Sequence, residues 1–198
     1  TVLAAYLYTA TFSTNGVVPS ATLNGTSVSY STSYPNATAC CSLSSHVADV
    51  TSIVQGVIDG GVGGVYDFDI VQGLANSNID GHALVVVYSN PALPEATVGI
   101  LSGFADVNGD TTAINFSNPL DPTEAGFFAE MFLGIGFSCC TSQQSTVEVN
   151  GQLLTEFAGN KDDGENGNSN GNLITVGSLD DTFSPDLPNY EEETEHYN

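Results

Sequence analysis

The chain has 198 residues, of which one is Lys or Arg and 23 are Asp or Glu, giving a formal net charge of −22. Without clustered cations it cannot bind nucleic acid by counterion release, and anionic lipid head groups repel it. Charged residues make up only 12%, about half the roughly 25% of an average domain, so the missing cations are the unusual half of the balance. Such a surface attracts divalent cations and stays soluble by self-repulsion. It also offers almost no site to proteases that cut after Lys or Arg, which suits an extracellular protein.

Hydrophobic residues make up 41%, enough for a folded core. No apolar run approaches the roughly 20 residues that cross a bilayer, so membrane insertion is not expected. The chain starts at Thr1 and not at Met, in keeping with removal of a signal segment.

Taken in order, strand signals dominate. Val2 to Phe12 is rich in Val, Tyr, Thr and Leu and reads as a long strand. Residues 21 to 30 hold Asn24-Gly25 between two short strands, the strongest short-range hairpin signal, and Asn150-Gly151 repeats it within 147 to 154. Residues 31 to 45 read as a surface loop. Between Ala48 and Asp59, apolar residues at 50, 53, 54, 57 and 58 predict a helix that Gly60-Gly61 ends. Val65 to Val71 returns to strand. His82 to Tyr88 is an apolar run of strand length and is expected to be the most buried strand. Asn90 to Pro94 is a turn. Ala96 to Val107 and Thr111 to Phe116 read as strands, with an acidic turn between them. Gly126 to Phe137 fits strand or helix. Residues 158 to 172 form a polar loop, Asn172 to Val176 a last strand. The sum is a mostly β chain: an antiparallel β-sandwich or jelly roll with one or two short helices. Residues 1–177 form one domain in this reading, and 178–198 an acidic tail.

The series Val2-Leu-Ala-Ala-Tyr-Leu-Tyr, Thr22-Leu-Asn-Gly-Thr, Ala48-Asp-Val-Thr-Ser-Ile-Val, Gly81-His-Ala-Leu-Val-Val-Val-Tyr-Ser-Asn-Pro91 and Gly99-Ile-Leu-Ser-Gly-Phe104 resembles an uncharacterised family of secreted bacterial and archaeal β-rich surface domains. These stand beside adhesin-like repeats and cell-envelope anchors. The resemblance covers roughly residues 1 to 176 and implies location and fold. It implies no catalytic residue, and the paired cysteines and acidic tail depart from its pattern.

Asp106-Val-Asn-Gly-Asp110 is the sharpest chemical motif. Oxygen side chains at Asp106, Asn108 and Asp110 alternate before a turn, as in the first half of a Ca²⁺-binding loop. The second half fails, with Thr111 at the sixth position and Ser117 at the twelfth. The competing reading is a plain polar turn. Asp67 and Asp69 share one strand face and either meet water or share a cation. Asp162, Asp163 and Glu165 form a weaker candidate loop.

Cys40-Cys41 and Cys139-Cys140 lack metal-site spacing. An even count in an extracellular protein reads as disulfides. Two intrachain bridges, one core bridge with outward sulfurs that cross-link molecules, and reduced thiols all fit the pairs. Asn24, Asn36 and Asn115 head Asn-x-Ser/Thr sequons, with Asn36 the most accessible. His46, His82 and His196 are scattered, and His82 reads as a core or edge histidine. No nucleophile elbow, phosphate loop or paired-histidine motif is present, so a non-enzymatic role is expected. The first reading is a structural subunit of an extracellular filament or surface layer. It is stabilised by Ca²⁺, and self is its partner through strand addition at the Val2–Phe12 edge. The alternative is a calcium-dependent adhesion or carbohydrate-binding module with a glycan partner.

Overall fold

The computed structural model describes residues 1–11, 20–35, 43–73, 79–103, 106, 108–116, 118–129, 131–133, 146–156 and 195–197. The chain divides into two compact units, Thr1–Ile114 and Asn115–Asn198. The sequence boundary at 177 lies outside the described residues. The fold is mostly β, with antiparallel sheets and, among the described residues, a single short helix.

Among its described residues the first unit holds two sheets. Strands β1 (Val2–Thr11), β4 (Thr32–Pro35), β5 (Ser44–Asp49) and β7 (Ile79–Tyr88) form an antiparallel sheet of order β4-β5-β1-β7. Strands β2 (Ala21–Leu23), β3 (Thr26–Val28) and β6 (Ile70–Gln72) form a second, of order β3-β2-β6. Helix α1 (Thr51–Ile58) packs on β1.

Alternation builds the core. Successive strand side chains point to opposite faces. Ala5, Leu7, Thr9 and Thr11 are buried on the inner face, while Tyr6, Tyr8 and Ala10 stand half-buried on the outer one. A register shift between Val2 and Ala4 turns Val2 inward although it is out of phase. Leu7 then meets Ala48 and Val50 beside β5, Val54 of α1, and Ala21, Leu23 and Val28 of the second sheet in one apolar cluster. Leu7 and Leu23 are both fully buried, which stabilises the fold by roughly 1.5–3 kcal/mol each.

Both predicted hairpin turns form. Asn24 and Gly25 have φ of 48° and 75°, Asn150 and Gly151 of 52° and 74°, the left-handed pair that a primed two-residue turn requires. Asn24 is tied further: its N–H donates to the Asp69 carbonyl (2.8 Å), and its side-chain oxygen accepts from the Asp69 N–H (2.7 Å). The first turn is thereby pinned to the start of β6.

Helix α1 starts later than the sequence suggests, because Ala48 and Asp49 end β5. Its polar stripe completes β1 where β5 stops. Thr51, Gln55 and Asp59 lie four residues apart and share a face. The Thr51 hydroxyl accepts from the Ala5 N–H (2.9 Å), the Asp59 carboxylate from the Val2 N–H (2.8 Å), and the Gln55 amide donates to the Val2 carbonyl (3.1 Å). The Val50 N–H also donates to the Ala5 carbonyl (2.9 Å).

Several expected elements differ. Thr32–Pro35 is an edge strand and not loop. Strand pairing near Val65 to Val71 is confined to β6, because residues 65–69 alternate in burial without a ladder. The His82–Tyr88 run is not the most buried strand. It lies in β7, at the sheet's edge, with Leu84 to Val87 half-buried. Its apolar residues serve two faces: Leu84 and Val86 pack on the core, and Val87 faces the outer side. Residues 96–103 and 111–116 join no ladder.

The second unit contains two two-stranded antiparallel sheets among its described residues. Strand β9 (Thr146–Val149) pairs with β10 (Gln152–Glu156) through the second hairpin. Strand β8 (Met131–Leu133) pairs with β11 (Glu195–Tyr197). Residues 195–197 of the acidic segment are therefore hydrogen-bonded strand.

Candidate functional site

The four-stranded sheet ends at β4 on one side and β7 on the other. Strand β4 has four residues and finishes at Pro35, which lacks the N–H that strand addition needs. Strand β7 has ten residues, Ile79-Asp-Gly-His-Ala-Leu-Val-Val-Val-Tyr88, and no strand pairs with its outer edge among the described residues. It carries no Lys, Arg or Pro; its one charged residue, Asp80, falls at the register shift near its start, which leaves Ala83–Tyr88 as the uncharged stretch of the edge. The expected free edge at Val2–Phe12 is not one. β1 is paired with β7 on one side, and with β5 and the α1 stripe on the other. Ten residues of apolar alternation require burial, and a central position supplies it.

The outer face of this sheet carries three tyrosines: Tyr6 and Tyr8 on β1, and Tyr34 on β4. Residues 98–102 run beside them in extended form. Val98, Ile100 and Ser102 line a groove of about 420 Å³ whose other walls are Tyr6 and Tyr8 and whose remaining lining is Ala4, Val47 and Val87. The Ser102 hydroxyl donates to the Tyr34 hydroxyl (3.4 Å). Burial pushes the Tyr8 phenol above its usual range, the Tyr6 and Tyr34 phenols push it further, and a hydrogen bond with Ser102 offsets part of this. The four hydroxyls therefore form one cluster. Asp49 stands opposite Tyr6 in the register. Hydrogen bonds from Thr51 hold its carboxyl below the usual carboxylate range.

The inner face carries a polar row instead. Ser33, His46, Thr9 and His82 are successive cross-strand neighbours on β4, β5, β1 and β7. His46 is 1% exposed. Its Nδ1 lies 2.8 Å from the Ser33 hydroxyl and its Nε2 3.0 Å from that of Thr11. The Thr11 hydroxyl also donates to the Ser44 carbonyl (3.4 Å), an arrangement that matches Nε2–H donating to Thr11 and Nδ1 accepting from Ser33, the roles being set by the tautomer. That tautomer satisfies a neutral imidazole. Burial pushes both His46 and His82 below the usual histidine range. Both ring nitrogens of His82 are buried without a hydrogen-bond partner among the described residues. Tyr30 packs edge-on against His46 with ring centroids 5.9 Å apart. Burial pushes its phenol up to about 12, with Thr9 offsetting part of the shift from outside hydrogen-bond geometry. Ser33 is exposed and His46 buried, so this pair ties the sheet's edge strand to its inner face.

The acidic motifs are placed as turns. The Asp106 carboxylate accepts from the Asn108 N–H (2.8 Å) and side-chain amide (3.1 Å), and its carbonyl from the Gly109 N–H (2.9 Å). Asp110 accepts from the Thr111 N–H (2.8 Å). These are the self-bonds of an Asx-type turn. Asp67 and Asp69, expected on one strand face, precede β6 in a segment that is not strand, and both are exposed. Among the described residues, no three His, Cys, Asp or Glu side chains converge as a metal site. Asn24 and Asn115 are exposed. Asn36, Asp162, Asp163, Glu165 and the four cysteines, Cys40, Cys41, Cys139 and Cys140, lie outside the described residues. His196 falls on β11. Sequence reading missed the tyrosine cluster, although Tyr6 and Tyr8, two apart in a predicted strand, already mark one shared face.

A scan against protein-family models finds no match, and searches of curated proteins and of solved structures find none either.

Proposed function

We propose that this chain is a non-enzymatic structural subunit of an extracellular assembly that grows by strand addition at the outer edge of β7. The observation that carries this reading is the ten-residue edge of β7, apolar over Ala83–Val87, without a pairing strand among the described residues. Such an edge is a template for another chain. A donor segment of a neighbouring copy added to this edge makes a heterologous contact, which generates a filament where its rotation does not close. At −22 per subunit, like-charge repulsion opposes growth. Salt and Ca²⁺ therefore promote it by screening over about 8–10 Å at physiological ionic strength. In this reading Ca²⁺ also binds at Asp106, Asn108 and Asp110, in exchange for the turn's own hydrogen bonds, and excess chelator lowers the melting temperature through mass action. The test is light scattering and negative-stain microscopy of the full chain with salt and Ca²⁺, for wild type and Val85→Lys. Filaments in wild type alone support the proposal. A chain that stays monomeric at high concentration in every condition contradicts it and leaves the adhesion module.

A further inference from the structure

We infer that the outer-face groove of the four-stranded sheet binds a small soluble alkylammonium ion, held between Tyr6 and Tyr8 against Ala4, Val47 and Val87. This site goes beyond the assembly reading and does not depend on it.

Size admits such a ligand. The groove holds about 420 Å³, within the range of roughly 300–1,000 Å³ for small-molecule sites. Charge selects among ligands of that size. The only Lys is Lys161, and no Arg exists, so the described residues provide no Lys or Arg to meet an anion. Asp49 lies on the groove's own face, opposite Tyr6, and the chain as a whole carries −22. An anion is therefore repelled and a cation is drawn in.

The lining then decides which cation. Ala4, Val47, Val87, Val98 and Ile100 supply aliphatic surface, and the side-chain oxygens of the lining are the hydroxyls of Tyr6, Tyr8 and Ser102. A compact ion such as Ca²⁺ prefers several carboxylate or carbonyl oxygens, and no carboxylate is among the lining residues. A neutral polyol needs several free hydrogen-bonding groups, yet the Ser102 hydroxyl already donates to that of Tyr34. An alkylated ammonium meets both conditions. Its carbon groups pack on the valines and alanine, and its spread charge is stabilised by aromatic rings and the nearby carboxylate.

The experiment uses intrinsic fluorescence, which in this Trp-free chain comes from its eight tyrosines. The full chain is titrated with choline and with 3,3-dimethylbutan-1-ol, its uncharged isostere. Choline is expected to give a saturable change, with the isostere about tenfold weaker. Tyr8→Leu weakens choline binding by about tenfold for the same reason. Ser102→Lys changes an exposed position, so folding is retained, and its ammonium competes for the groove and removes the response. Equal binding of choline and isostere overturns the proposal, as does an unchanged response in Ser102→Lys. Saturation by a neutral oligosaccharide without saturation by choline overturns it in favour of a glycan. Sedimentation with phosphatidylcholine vesicles without a response to free choline overturns the soluble-ion assignment.

Discussion

Strands β1 and β7 are neighbours of equal length in one sheet, each ten residues and each with an apolar run, yet only one of them leaves an edge without a pairing strand among the described residues. β1 has β7 on one flank. On the other it has β5 from Tyr6 onwards, and beyond that the side chains of Thr51, Gln55 and Asp59. β7 has β1 on one flank and no strand on the other among the described residues. Whether an edge is available for addition is thus set by topology and by what a neighbouring helix offers the backbone. Apolarity alone does not reveal it.

That contrast can be broken from the β1 side first. Leu7 is fully buried at the centre of the apolar cluster, and Leu7→Ala should destabilise the first unit by about 2–5 kcal/mol. Denaturant unfolding measures this, and a loss below about 1 kcal/mol would contradict a central β1. Thr51→Val should cost about 1–2 kcal/mol, because the part-buried Ala5 N–H loses its acceptor. Hydrogen exchange should then speed up at Ala5 while staying unchanged at Leu7. Equal exchange at Ala5 in mutant and wild type would show that α1 does not seal that edge.

Acid sharpens the comparison through the polar row that joins the two strands. Burial lowers the His46 and His82 pKa values in the fold, so the unfolded chain binds more protons just below the ordinary value of about 6.5. Their stabilising effect is complete above that value and is lost as pH falls through the folded values. Tyr30 is raised to about 12, and its effect is lost as pH rises from about 10. Thermal unfolding across pH should show a plateau between about 6.5 and 10. A melting temperature that stays flat well below pH 6.5 would contradict the buried neutral histidines. The smallest stability effect belongs to the open edge. Val85→Lys on half-buried β7 should change stability by less than Leu7→Ala while removing assembly.

Much of the fold was legible in the residues. The Asn24-Gly25 and Asn150-Gly151 turns formed because few pairs besides Asn-Gly adopt two successive positive φ values at low cost. The 3.6-residue apolar spacing located α1, with Val54 as its fully buried residue. The spacing did not mark the start, since Val50 offers no side-chain cap. The rank of β1 and β7 was not legible, because a run apolar on both faces fits a central strand as well as an edge strand that packs on both sides. Ala96 to Ser102 kept its alternation, with Val98, Ile100 and Ser102 facing the groove, yet joined no ladder. Period two reports which way side chains point and not whether the backbone is paired. The carboxylates of Asp106 and Asp110 read as metal ligands, and the competing turn bonds are short-range partners that the same spacing also supplies.

The central claim is that growth occurs at the outer edge of β7. Its most direct measurement is light scattering of wild type and Val85→Lys at matched concentration, in salt and Ca²⁺. The substitution lowers the net negative charge of each subunit, so electrostatics alone would speed its association. The account predicts filaments from wild type and a stable monomer from Val85→Lys. Equal or faster filament growth in Val85→Lys would contradict it.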